Sequence, residues 1–137
     1  MIAMRCAHFI FFVRDQARSS LFYQAVLEQA PRLDVPGMTE FELADGAVLG
    51  LMPEDGVARL LGDSLPHPSR AHGLIRSELY LLVADPQAYQ RRALACGARE
   101  ISPVQPRNWG HDAGYVLDPD EHLLAFASNV QCKDAPS

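Results

Sequence analysis

Two stretches of this 137-residue chain repeat one another: FIFFVRD at Phe9–Asp15 and LYLLVAD at Leu79–Asp85. Each is a strand-length apolar run that closes on Val-x-Asp and leads into a helical segment. The offset is constant at 70 residues, from Val13 to Val83 and from Asp15 to Asp85. Self-similarity of that kind marks one supersecondary unit written twice. The same offset sets His8 against Glu78, so each copy opens its first strand with a side chain able to ligate a metal or move a proton.

In the first copy Arg5–Val13 is apolar on both faces, which predicts a strand buried between two layers. Asp15 can cap the following helix, whose stripe Ala17, Leu21, Phe22, Ala25 and Val26 is expected to pack on the sheet before Pro31 ends it. Thr39–Ala44 and Val48–Met52 flank Asp45-Gly46, a dipeptide suited to the positive φ angles of a type I′ hairpin, and Arg32–Val35 is the candidate second strand. The second copy has Asp85 as N-cap, Pro86 at the first helical position, the run Tyr89–Cys96, and Gly97 where a left-handed residue is wanted. Arg99–Ser102, Gly114–Leu117 and His122–Ala127 supply its strands, with Asp118-Pro119-Asp120-Glu121 as the last turn. The expected fold is therefore α+β: two tandem βαβββ modules, 5–52 and 76–127, in one domain over 1–127. A linker at 53–75 holds a short helical candidate, Val57–Leu61, and 128–137 is a polar tail.

Composition removes several classes of function. The net charge is −5 and no Lys/Arg run exists, which argues against a nucleic-acid surface. The apolar runs are strand-sized, far short of the roughly 20 residues that span a bilayer, and no secretory leader is evident. Cys6, Cys96 and Cys132 are odd in number and unrelated in spacing, as reduced thiols of a cytoplasmic protein would be. A small molecule or a protein partner is the expectation.

A duplicated βαβββ order, a first-strand His8, a helix with Leu21-Phe22-Tyr23 and a closing Asp118-Pro119-Asp120 turn together resemble the vicinal oxygen chelate superfamily. That superfamily includes glyoxalase I, extradiol dioxygenases and the bleomycin- and fosfomycin-resistance proteins. The resemblance covers about residues 5–127 and implies that the curved mixed sheets of two modules form a cup-shaped cavity, often in a homodimer. It also implies a divalent metal held by up to four positions, which fall here at His8, Gly50, Glu78 and Ala125. Two of the four have no donor atom, so the resemblance points to metal-free members that bind an organic ligand, with Gly50 and Ala125 enlarging the hollow. Glu121 stands where the family usually has glycine in the last turn, at a cost on the order of 1 kcal/mol. His122 beside it reads as a solvated imidazole.

Strand alternation sets Ile10 and Phe12 beside His8, and Tyr80 and Leu82 beside Glu78. Val48, Met52, Leu123 and Ala127 share the parity of Gly50 and Ala125, giving either a mainly apolar ligand cavity or an ordinary core. Arg107-Asn108-Trp109-Gly110-His111 reads as a rim loop whose Trp109 stacks on a planar or anionic ligand or else packs under its own loop. His8 and Glu78 read as an acid/base couple or as a buried pair, because a buried Glu78 needs His8, Arg76 or a ligand as partner. His67, His72 and His111 share no metal-like spacing and read as surface residues.

The expected function is thus a glyoxalase/bleomycin-resistance-like protein that binds a small, partly apolar organic molecule without a metal or other cofactor. Its ligand-binding residues would be His8, Phe12, Gly50, Glu78, Tyr80, Arg107, Trp109 and Ala125. The alternative is a metal-dependent lyase, isomerase or dioxygenase with a divalent ion at His8 and Glu78. A third reading is an interaction module whose cup is closed.

Overall fold

The computed structural model describes residues 3–129; of the tail expected at 128–137, residues 130–137, including Cys132, lie outside it. Its elements run β1 (Ala7–Val13), α1 (Gln16–Leu27), β2 (Leu33–Val35), β3 (Met38–Ala44), β4 (Ala47–Pro53), α2 (Glu54–Leu61), two short 3-10 turns (Gly62–Ser64, Pro68–Ala71), β5 (Glu78–Leu82), α3 (Pro86–Ala95), β6 (Arg99–Pro106), β7 (Asp112–Leu117) and β8 (Leu123–Ser128). The strands form two four-stranded mixed sheets, ordered β1-β4-β3-β2 and β5-β8-β7-β6. The repeat is real at the level of topology, and the α+β class is as expected. Two compact units emerge, one built on residues up to Gln24 with Glu28–His72, the other on Ala25–Leu27 with Gly73 onward.

In the first unit Asp15 caps α1 by accepting the Arg18 N–H at 3.1 Å. The buried stripe of α1 differs from the expected one: Ser19, Phe22, Tyr23 and Val26 are buried, whereas Leu21 is 67% exposed and Ala17 and Ala25 are also exposed. Serine is small enough to lie under a helix, and the hydrophobic pattern alone underweights it. Tyr23 meets the rings of Phe11 and Phe41, so this face of the sheet is the core. Nor is β1 buried along its length. It is an edge strand, exposed over Ala7–Ile10, with Phe9 49% exposed.

The β3–β4 hairpin corrects the turn assignment. Only Gly46 takes a positive φ (78°) and Asp45 does not, so this is no type I′ turn. A bulge between Glu42 and Ala44 shifts the ladder by one residue, pairing Phe41 with Leu49 and Glu40 with Gly50. Without that shift Phe41 would leave the core and Glu40 would enter it.

The expected linker is an ordered segment whose contacts fall with the first unit as far as His72. Buried Glu54 bonds His72 Nε2 at 2.7 Å, and His67 bonds Asp55 at 2.8 Å, so these two histidines hold the segment to α2. His72 is thereby more than a surface residue.

The second unit follows its punctuation closely. Asp85 accepts the Ala88 N–H, Pro86 opens α3, and Gly97 turns the chain at φ 102°. In the β7–β8 turn, Asp118 Oδ1 accepts the N–H groups of Asp120 and His122, each at 2.8 Å, and Glu121 sits in the left-handed region at φ 68°. On the α3 side of the sheet, Phe126 meets Tyr89, and Gly114 lets Gln90 approach the strand.

Candidate functional site

The face of the second sheet away from α3 gathers chemistry the strand register makes explicit. Glu78, Tyr80 and Leu82 of β5 lie opposite Leu123, Ala125 and Ala127 of β8, which lie opposite Leu117, Tyr115 and Ala113 of β7. Residues directly opposite in a ladder share a face, so Glu78, Tyr80 and Tyr115 stand over an aliphatic floor. Ala125 sits in register between Tyr80 and Tyr115 and is fully buried.

Tyr80 is the hub. Its hydroxyl accepts the Trp109 indole N–H at 2.9 Å and bonds His111 Nδ1 at 2.7 Å, with the Tyr80 and His111 rings 5.8 Å apart. The connection from β6 to β7 makes this possible. Arg107 N–H donates to the His111 carbonyl at 2.8 Å, Gly110 N–H donates to the Arg107 carbonyl, and Gly110 takes the positive φ (95°) that the tight loop needs. Trp109 is left 52% exposed at the loop tip with its N–H engaged.

Arg107 has a different employment from the one its sequence position suggests. Its guanidinium donates to the Ala113 and Pro103 carbonyls and to Ser102 Oγ at 2.7–3.0 Å, and lies 5.2 Å over the Tyr115 ring. The ladder between β6 and β7 is twice interrupted here, between Glu100 and Ser102 and between Ser102 and Gln105. Arg107 bonds carbonyls on both strands beside these interruptions, and so acts as a strut under the loop.

Burial raises the Tyr115 phenol above its ordinary 10.0, and the Glu78 carboxylate and Tyr80 raise it further against the lowering effect of Arg107. A raised phenol pKa means that the folded chain holds this proton more tightly than the unfolded chain. The contribution of this group to stability is present below pH 10.0 and is lost as pH climbs through the folded-state value. The Tyr115→Phe variant should therefore lose less thermal stability than the parent between about pH 9 and about pH 11. Parallel melting-temperature profiles would count against this account.

Glu78 itself is exposed, and no ion pair engages its carboxylate among the described residues. An exposed carboxylate is solvated by water, so burial does not force Glu78 to find a partner. His8, on the first unit, lies 3.5 Å from Glu40 Oε2, while Arg32 Nε donates to Glu40 Oε1 at 3.0 Å. Glu40 is mostly buried and bridges the two, in a register fixed by the bulge. His8, Ile10 and Phe12 lie opposite Val48, Gly50 and Met52, as alternation requires. Gly50 does not enlarge a hollow, because Ile10 and Met38 already come within 3.2 Å of where its Cβ would stand. A fully buried Ala125 opens none either. Elsewhere in the first unit, a shallow cleft of about 750 Å3 runs along Arg14–Ala17 and Asp34–Pro36, but Asp15 there is committed to its cap and Gln16 to the Val35 carbonyl and Thr39.

Of the expected residues, the structure gathers Glu78, Tyr80, Arg107, Trp109 and Ala125 on the second unit and His8, Phe12 and Gly50 on the first. It adds His111, Tyr115 and Glu40. The donor set does not suit a resident ion. Gly50 and Ala125 have no donor atoms, and among the described residues no three His, Cys, Asp or Glu side chains converge.

The family model of the Glyoxalase/Bleomycin resistance protein/Dioxygenase superfamily matches residues 5–126. A comparison with curated proteins finds no match. Among solved structures, a glyoxalase-related enzyme from Fulvimarina pelagi aligns over 90% of this chain and 86% of its own, with TM-score 0.76 and 23% identity. A protein of unknown function from Agrobacterium tumefaciens C58 aligns over 95% and 98%, with TM-score 0.76 and 24% identity. A glyoxalase/bleomycin resistance protein/dioxygenase family enzyme from Burkholderia phytofirmans PsJN aligns over 90% and 97%, with TM-score 0.73 and 18% identity. At these identities the likeness is one of fold.

Proposed function

The chain belongs to the Glyoxalase/Bleomycin resistance protein/Dioxygenase superfamily, and from that premise we propose that it binds a small, partly apolar organic molecule on the face of its second sheet away from α3, without depending on a metal. The observation that carries this reading is the cluster of Tyr80, Trp109, His111 and Tyr115 beside Glu78 over a floor of Leu123, Ala125 and Ala127. Aromatic walls with a few polar groups suit a planar organic ligand, and the exposed indole can stack on it. Among the described residues no helix is long and apolar enough to cross a membrane, and the protein acts in the cytoplasm as a homodimer on this reading. Light scattering giving a strict monomer at micromolar concentration would remove the dimer.

Trp109 is the single tryptophan of the chain, so its fluorescence reports on this face alone. Screening aromatic and heteroaromatic compounds in EDTA should find ligands that change its emission, and Glu78→Gln should weaken them about tenfold while His122→Ala changes affinity less than about twofold. Equal affinities for the two variants would take Glu78 out of the site. Binding that appears only after nickel, zinc, iron or manganese is added would instead favour metal-dependent lyase, isomerase or dioxygenase chemistry through His8 and Glu78.

A further inference from the structure

We propose that Tyr80 and His111 form a proton-transfer couple, and that the ligand of this face carries an acidic hydroxyl, as a phenol or an enol does. This rests on the ligand-binding reading above and adds the class of ligand and what happens to it. A tyrosine hydroxyl has one hydrogen to give and two lone pairs to fill. Trp109 Nε1–H fills one lone pair at 2.9 Å, and the 2.7 Å bond to His111 Nδ1 uses either the hydrogen or the second lone pair. In either case one hydrogen-bonding position of the Tyr80 oxygen is uncommitted. With the hydrogen on the way to His111, that position is an acceptor; with Nδ1–H donating to Tyr80, it is a donor. Moving that hydrogen from Oη to Nδ1, while Oη takes a proton from a donor at the open position, converts the first arrangement into the second.

That arrangement moves a proton in one concerted step. The O–H bond of the ligand breaks and its proton goes to Tyr80 Oη, while the O–H bond of Tyr80 breaks and its proton goes to His111 Nδ1. The products are a ligand oxyanion, a neutral Tyr80 and an imidazolium, with no oxidant or reductant required. Tyr80 is the residue that touches the ligand, and His111 is a positioning residue that stores the proton. Among the described residues, the other charged or titratable groups on this face are Glu78, Tyr115, Arg107 and, opposite Leu117, Arg99.

The test uses 4-nitrophenol, which absorbs visible light only as the phenolate, at a pH a little below its own pKa, with 4-nitroanisole as the analogue lacking the hydroxyl. The expected result is that 4-nitrophenol quenches Trp109 and is bound as the yellow phenolate, while 4-nitroanisole binds at least tenfold more weakly. The ionised fraction of bound probe should fall at least tenfold in Tyr80→Phe, His111→Phe and His111→Gln, the last retaining a hydrogen-bonding partner in case the phenylalanine variant disturbs the loop. Bound probe that stays colourless, or whose colour survives in His111→Gln, overturns the couple and leaves the ligand-binding face standing. Equal binding of 4-nitroanisole overturns the hydroxyl class. If neither probe alters Trp109 emission, the ligand-binding reading falls and the couple falls with it.

Discussion

Asp118→Ala is expected to destabilise the protein by about 3 kcal/mol, a fall in melting temperature of about 10 °C. Asp118 is nearly fully buried, and its Oδ1 holds the N–H groups of Asp120 and His122 at 2.8 Å each. Hydrogen bonds to a carboxylate are worth roughly 1.5–3 kcal/mol each, and two on a single oxygen give less than twice that. Their loss leaves two donors without partners in a turn where Glu121 already occupies a left-handed backbone at φ 68°. Asp118→Asn keeps an acceptor oxygen without the charge and should lose about half as much. Chemical denaturation of the three proteins measures this. An alanine variant within about 0.5 kcal/mol of the parent would show that the turn is held by its backbone bonds alone.

Gly114→Ala is the second large effect, at about 2–3 kcal/mol. The backbone at Gly114 is ordinary, so the penalty is one of space: an added Cβ would collide with Gln90 Oε1 and come within 2.6 Å of Val104 Cγ2. Gln90 is buried and cannot swing aside freely, because its Nε2 donates to the Ser102 carbonyl at 3.0 Å. Shortening the obstacle should restore part of the loss. In the Gly114→Ala background, Gln90→Ala is expected to cost at least about 1 kcal/mol less than it does alone. Strict additivity of the two changes would mean that Gly114 is needed for some reason other than the approach of α3.

The fold was legible because its signals are local and occur twice. Asp15 and Asp85 cap helices at one offset, Pro86 and Gly97 bracket α3, and the parity that groups His8 with Phe12 and Glu78 with Tyr80 holds in both ladders. The candidate site was legible only in part, and the misses share a cause. Glu40 reaches His8 only because a bulge at Glu42–Ala44 shifts β3 by one residue, and no turn signal announces that shift. The need for Phe41 to face the core was a clue, since the unshifted register would expose it. His111 looked like a surface residue until the loop from Arg107 closed it against Tyr80, and Arg107 looked available until the broken β6–β7 ladder claimed its donors. On α1, Ser19 and Ser20 took buried positions that a hydrophobic pattern assigns to alanine and leucine.

One indole N–H signal exists in the amide spectrum of this chain, that of Trp109, and following it by NMR through a titration with 4-nitrophenol in EDTA tests the central claim. The account predicts that this signal moves together with the backbone amides of Glu78, Tyr80, His111 and Tyr115. Shifts confined to the cleft along Arg14–Ala17 and Asp34–Pro36, or a Trp109 signal that moves only once a divalent ion is supplied, would contradict it.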